Sequence, residues 1–427
     1  LPLTPKPAPP RHTLPSGFLI VLTALPLLAQ APQPAARILT LAEALALAEQ
    51  NHPALQVAAG RLAGATAAIR TAGAYLNPQL SGATFGRQTV VTRGNVGGNL
   101  HTFTLSQDIT LPAVRRARIA SAELGRQSSE LALAEDLLNL RGQVKQAFFE
   151  ALRRRSEIQI AQENVQLLED LYRRIRVQYE VGEAPRLELT RAEAEVSVAR
   201  IQAQSAERRY NAALADLHAA VGVPLTGFEP QEPLYPATAL PPLEELVAKV
   251  LARHPGLAVA ENETRRAQAN VEVERKLKIP QLNVWVNVIK QPDVNQYWYG
   301  VSIPIPIFNR REGQIAEAQA AVRQADSFAD FRRLQLTAAV ERAYGQYTVA
   351  QSQVQMFESG IILQAEEALR AAEAAFRFGE RSIIEVLDAQ RVLRASRLEY
   401  LNAQFDRQQA LVALEQLGAL ELTGANP

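Results

Sequence analysis

Two hydrophobic textures alternate along this chain, and each occurs twice. Over 113–180 apolar residues recur at helical spacing with no proline, which predicts a single helix of about 100 Å at 1.5 Å rise per residue. Gly182 and Pro185 then break the pattern, and a returning helix is predicted over 186–220. The C-terminal half repeats this plan, with helical spacing over 311–377, a turn at Gly379 and a returning helix over 381–417. Shorter helices are predicted over 41–50 and 53–76. A lone helix of such length cannot bury its own apolar stripe, so the long helices should pair as antiparallel hairpins.

The second texture precedes each long helix. Phe103, Leu105, Ile109 and Leu111 alternate with Thr102, Thr104, Ser106, Asp108 and Thr110. Leu282, Val284, Val286 and Val288 share one parity, as do Tyr297, Tyr299, Val301, Ile303, Ile305 and Ile307. Period two predicts strands with one apolar face. Each half therefore carries a β-hairpin: 79–90 with 99–111, looped through 91–98, and 281–290 with 296–308, looped through 291–296. The polar opposite face suits a water-filled lumen, and Tyr297, Trp298 and Tyr299 suit an aromatic girdle at a lipid–water boundary. An ordinary soluble sheet packed on a core fits the same alternation. Four strands cannot close a barrel, since about 8 make the narrowest one. An open sheet would leave two unpaired edges in lipid, so several chains are expected to pool their hairpins and their helices around one axis.

The two halves are copies. His52-Pro53 recurs as His254-Pro255 and Pro78-Gln79-Leu80 as Pro280-Gln281-Leu282, at one offset. Ser106 matches Ser302, Ile119 matches Ile315 and Gly182 matches Gly379 at a slightly shorter one, because the first copy has the longer hairpin loop. A period near 200 is far above the roughly 20–50 residues of a solenoid unit, so this is a duplicated domain. The predicted organisation is a signal peptide over 1–31, a first repeat over 32–222, a linker over 223–243, a second repeat over 244–420 and a tail over 421–427. The linker carries Pro224, Pro230, Pro233, Pro236, Pro241 and Pro242, too many for a helix or a central strand. Arg11, the apolar run over 18–28 and the small residues Ala29 and Ala31 read as a secretory signal, although a membrane anchor is the competing interpretation.

Composition narrows the chemistry. Among 427 residues, 45 basic and 44 acidic side chains leave a charge of +1 without long runs, so no basic face offers itself to a nucleic acid. There is no cysteine, which removes disulfides, thiolate metal sites and attachment to lipid through cysteine. His12, His52, His101, His218 and His254 lack ligand spacing. His52 and His254 form a symmetric pair before prolines, where a structural role at a helix junction outweighs a metal site. No phosphate-binding loop and no nucleophile–base arrangement is present, so neither an enzyme nor a cofactor is expected.

The duplicated plan, the inserted hairpins and the run from Phe376-Arg377-Phe378-Gly379-Glu380-Arg381 to Glu385-Val386-Leu387-Asp388-Ala389-Gln390 resemble the TolC-like outer-membrane efflux proteins. The segment from Leu105-Ser106-Gln107-Asp108 through Arg115-Arg116-Ala117-Arg118-Ile119 and the run Pro306-Ile307-Phe308-Asn309-Arg310-Arg311-Glu312-Gly313 are similar to the heavy-metal (cobalt–zinc–cadmium) resistance branch. The resemblance implies a mainly α chain with a β-barrel part. Its helical hairpins would build a periplasmic α-barrel, and its four strands would join a trimeric twelve-stranded barrel in outer-membrane lipid. It further implies a homotrimer working with a periplasmic adaptor and an inner-membrane RND pump, exporting heavy-metal cations. Drug efflux or type I secretion is the alternative within the family, and a periplasmic coiled-coil adaptor without a pore is the alternative outside it. The same resemblance puts a gate at the helix tips. Arg381 falls at a gating arginine, and Glu385 and Asp388 fall where acidic rings line the constriction. Phe376 replaces a gating tyrosine, Leu187 replaces a threonine partner of Arg381, and Glu188 keeps an acid beside it. Glu385 and Asp388 could instead simply complement the positive start of their helix.

Overall fold

The computed structural model describes residues 37–90, 96–225, 227–234, 237, 239–292 and 294–420; the expected signal segment, the tail and most of the first hairpin's loop lie outside these. In chain order the elements are β1 (Arg37–Leu39), α1 (Leu41–Asn51), α2 (Pro53–Gly73), β2 (Gln79–Val90), β3 (Val96–Ile109), α3 (Pro112–Glu180) and α4 (Arg186–Val221). The second copy follows as β4 (Phe228–Pro230), α5 (Leu243–Arg253), α6 (Pro255–Lys276), β5 (Leu282–Lys290), β6 (Asn295–Ser302), α7 (Glu312–Met356), α8 (Ile362–Arg377) and α9 (Ile383–Gln416).

Local chemistry sets the helix ends. Thr40 and Glu43 form a reciprocal capping box that starts α1, each side chain accepting from the other's backbone N–H at 3.2 Å. His52 and His254 do equivalent work one helix later. Their Nδ1 atoms accept from the N–H of Ala54 (3.2 Å) and of Gly256 (3.0 Å), while Pro53 and Pro255 fill the first helical position. The symmetric histidines are thus helix caps.

The two hairpins join into one antiparallel sheet of order β2-β3-β5-β6. The register resolves its two faces. Leu80, Leu105, Val286 and Tyr299 line up across all four strands, and every one of them is exposed. On the opposite face Ser81, Thr104, Asn287 and Trp298 form a row, and Gln79, Ser106, Trp285 and Gly300 form the next but one. Trp298 therefore belongs to the polar face, and the apolar girdle keeps Tyr297 and Tyr299 without it. The expected strand over 296–308 also stops early, at Ser302. Pro304 and Pro306 cannot donate to a ladder, so the chain leaves the sheet there.

The helices continue the same order. α2 packs on α3, α3 on α6, and α6 on α7, so the wall order α2-α3-α6-α7 repeats the strand order above it. Side-chain hydrogen bonds fasten these seams. Arg115 Nε donates to the carbonyl of Gly73 at 2.6 Å, Ser121 Oγ to Asn270 Oδ1 at 2.6 Å, and Asn262 Nδ2 to Ser128 Oγ at 2.9 Å. Buried Val114, Ser121, Ser128, Gly142 and Phe149 share one heptad register on α3, with small residues where α6 approaches. Lower down, Leu140, Val144, Phe148 and Phe149 of α3 pack with Leu217 and Val221 of α4 and with Phe405 of α9. A second apolar cluster holds α3, α4, α8 and α9 together near their turns.

One further expectation is corrected. The continuous helix over 311–377 is interrupted at Phe357–Ile361, a π-type break in which Gly360 adopts φ 144°. Its counterpart α3 runs unbroken for 69 residues. The proline-rich linker contributes one short edge strand: β4 pairs in parallel with β1, Ile38 opposite Glu229. Pro230 ends that ribbon at an edge, where its missing donor costs nothing.

Candidate functional site

Both helical hairpins turn by the same device. Gly182 and Gly379 adopt φ of 83° and 72°, a region that glycine enters freely and that other residues resist. Gly182 N–H donates to Tyr179 O and Glu183 N–H to Gln178 O, at 3.1 and 2.8 Å. Gly379 N–H donates to Phe376 O and Glu380 N–H to Ala375 O, at 3.0 and 2.9 Å. These bonds satisfy the last carbonyls of α3 and α8. Pro185 then precedes α4, and Ser382 caps α9 with its Oγ accepting from Ile384 N–H at 3.2 Å.

The tips are apolar outside and charged beside the turns. Val177, Val181, Leu187 and Phe378 are all exposed, and Val181 and Phe378 occupy the same place in the two turns. Phe376 is half-buried instead, packed on the cluster that includes Leu168, Leu171 and Ile383. It also borders a groove of about 420 Å³ between α3 and α8, together with Asp170, Arg174, Glu373 and Arg377.

The charged residues form two sets. Arg381 Nη1 donates to Glu385 Oε1 at 3.0 Å, and both side chains are exposed. One turn on, Arg391 contacts Asp388 at 3.2 Å and also bonds Glu195 of α4, so it joins the second helical hairpin to the first. That bond to Glu195, reinforced by the attraction of Glu195 and Asp388, raises the guanidinium of Arg391 further into its charged form. Glu188 lies half-buried in the first turn of α4, as Glu385 lies in that of α9, and among the described residues it has no ion pair. Arg381 is thus matched by Glu385 from its own helix and not by Glu188. Arg391 and Glu195 escaped the sequence reading. The spacing of Asp388 and Arg391 was a usable signal, whereas Glu195 sits on another helix and left none.

Among the described residues no group of three or more His, Cys, Asp or Glu side chains could hold a metal ion. No described helix is long and apolar enough to cross a membrane. The arrangement can exchange ion pairs and present charge to a passing solute, and it offers no bond-making chemistry.

The model of the family described as outer membrane efflux protein matches residues 44–223 and again 246–419, one match for each copy. The chain is 29% identical over 391 residues to the cobalt-zinc-cadmium resistance protein CzcC of Cupriavidus metallidurans, covering 90% of this chain and 91% of that one. It is 26% identical to the pyoverdine export outer membrane protein OpmQ of Pseudomonas aeruginosa, covering 85% and 81%. The solved structure of CusC, described as forming a transmembrane channel, superposes with a TM-score of 0.74 at 21% identity, over 88% of this chain and 91% of that one.

Proposed function

From the premise that this chain belongs to the outer membrane efflux protein family, and so is an efflux channel and not an enzyme, we propose that it is the exit duct of a tripartite heavy-metal efflux machine. One observation carries the reading. A four-stranded sheet with an exposed apolar face is continuous with helices about 100 Å long, which is the form of a conduit from an outer membrane across an aqueous space. Unpaired edges on β2 and β6 require neighbours in lipid, and three copies supply twelve strands. The duct is then a homotrimer, with its long helices in the periplasm, working with a periplasmic adaptor and an inner-membrane RND pump that supplies the energy. The likeness to CzcC favours divalent metal cations as cargo, and the likeness to OpmQ supports a bulkier organic cargo as the second reading.

Within this reading the turns at Gly182 and Gly379 form the inner mouth, and Arg381, Glu385, Asp388, Glu188 and Phe376 form its gate. Arg381 and Arg391 hold the carboxylates of Glu385, Asp388 and Glu195 in pairs. Breaking those pairs would widen the mouth and bare its acids, whose field a narrow opening focuses. Metal ions pass through as solutes.

Two measurements test the reading. Purified protein in a planar bilayer should give discrete single-channel conductance, and no conductance would overturn the pore. A deletion strain should lose tolerance to zinc, cobalt or cadmium and regain it from the plasmid-borne chain. Loss of drug tolerance alone would move the cargo to the second reading.

A further inference from the structure

The edges of the sheet and the edges of the helical wall coincide. β2 and β6 border the sheet, and α2 and α7 border the wall. α2 runs into β2 after only residues 74–78, and α7 leaves β6 after residues 303–311. Any assembly that pairs β2 of one chain with β6 of the next must therefore bring α2 of the first beside α7 of the second.

These two helices carry complementary unpartnered faces. Ala58 of α2 is buried toward its own chain, while Val57, Gly60 and Gly64 lie on the far side and are exposed. A Cβ added at Gly60 or Gly64 would meet nothing within 4 Å, so this face is a shallow floor. On α7, Ala329 and Leu336 are buried against the chain, while Phe328, Phe331 and Leu334 are exposed at 58%, 53% and 69%. These rings stand about 30 Å below the sheet at 1.5 Å per residue, too far from lipid to be covered by it.

The levels also match. Arg61 of α2 reaches Asp136 of α3 at 3.8 Å, and Arg332 of α7 pairs with Glu135, the neighbouring residue of α3. Residues 61 and 332 therefore share one height on the wall. α2 rises toward the sheet and α7 descends from it, so Phe328 stands within about one residue of the height of Gly64, and Phe331 about two residues, or 3 Å, above Gly60.

We infer that Phe328 and Phe331 of one copy seat on the glycine floor of α2 in the next, forming the periplasmic seam between subunits. The occupant of each face is thus a second copy of this chain. This rests on the multi-chain duct proposed above and names the surface that holds it together. Bulky rings against bare backbone permit close helix approach, and they cover an apolar patch that a monomer would leave in water.

The absence of cysteine from the chain makes the test clean. Phe331→Cys combined with Gly60→Cys, and Phe328→Cys combined with Gly64→Cys, are treated in detergent with a short bis-maleimide. Each pair should yield covalent dimers and trimers on denaturing gels, whereas each single variant should stay monomeric. A native mass of three chains with no covalent product from either pair would overturn the seam and leave the duct standing. A native mass of one chain would overturn both. Gly64→Leu, which fills the floor, should also lower the temperature at which the native trimer dissociates, and an unchanged temperature would count against the seam.

Discussion

The hydroxyl of Tyr400 on α9 donates to Glu358 at 3.0 Å, at the one place where the long helix of the second copy is broken. Its ring lies against Phe357, with centroids 5.9 Å apart. Gly360 completes the break with φ 144°, a conformation that L side chains resist. The contact joins the returning helix to the break, so any swing of α8 against α7 has to work against it.

Tyr400→Phe keeps the ring and removes the donor, and should cost about 1 kcal/mol, the value of an ordinary hydrogen bond. Gly360→Ala should cost about 1–3 kcal/mol through backbone strain. Thermal melts in detergent check both. A Gly360→Ala protein as stable as the parent would mean that the break relaxes to ordinary helix without loss.

The break was illegible in the sequence, and the reason is physical. A single glycine inside a helical pattern costs only about 1 kcal/mol against alanine, too little to mark a boundary when the flanking spacing is intact. The first copy has Glu163 at the matching place and runs on. Proline and period-two alternation spoke more clearly. The turns at Gly182 and Gly379, the succession of strands and helices along the chain, and the apolar parity of Leu105, Val286 and Tyr299 within their own strands were legible in the sequence. Trp298 was misplaced because three adjacent aromatics were read as one cluster, although alternation sends the middle one to the other face. Pro304 and Pro306 were overridden by the parity of Ile303, Ile305 and Ile307. At the second helical turn the sequence singled out Arg381, Glu385 and Asp388, and it did not report the ion pairs that Arg381 and Asp388 make. Contacts such as that of Arg391 with Glu195 depend on how two helices rotate against each other, which spacing along one helix does not report.

His254 makes stability depend on pH. Its ring is buried at the start of α6, and burial lowers its pKa below the ordinary 6.5; nearby Arg332 acts in the same direction and the carboxylate of Glu135 opposes it. The unfolded chain therefore takes up a proton before the folded one does. The contribution of this residue is whole above pH 6.5 and is lost as pH falls below it. Protonation would also remove the acceptor that Gly256 N–H uses. His254→Asn retains a capping acceptor without the titration. Melting temperatures at pH 7.5 and pH 5 should differ less in this variant than in the parent, and equal differences would refute the assignment.

On the proposed assignment of the helix tips as a gate, their ion pairs should govern selectivity. Arg391→Ala releases the carboxylates of both Asp388 and Glu195, so the open channel should favour cations over chloride more strongly than the parent. Glu385→Gln with Asp388→Asn should shift selectivity the other way. Reversal potentials in a salt gradient measure both, and the shifts should shrink in high salt, where screening shortens the reach of exposed charge. If neither variant moves the reversal potential, these residues do not face the conduction path.

Lys145 and Glu415 give the last test, one that separates assembly from folding. The ammonium of Lys145, with 8% of its side chain exposed, sits 2.5 Å from a carboxylate oxygen of Glu415 and ties α3 to the end of α9. Glu415→Ala removes the carboxylate that holds this nearly buried ammonium, and should cost about 1.5–3 kcal/mol, the value of a hydrogen bond to a charged group. Replacing both partners with apolar residues, Lys145→Met with Glu415→Leu, removes the buried charge as well as its counter-ion and should recover part of that loss. Neither position lies on the exposed faces of α2 and α7, so melting should fall in Glu415→Ala without any change in the native mass. A Glu415→Ala protein that melts with the parent would show that the pair contributes nothing beyond its desolvation cost, and that the packing of Phe148, Phe149 and Phe405 with the remaining polar contacts, such as Gln416 with Asn139, holds α3 to α9.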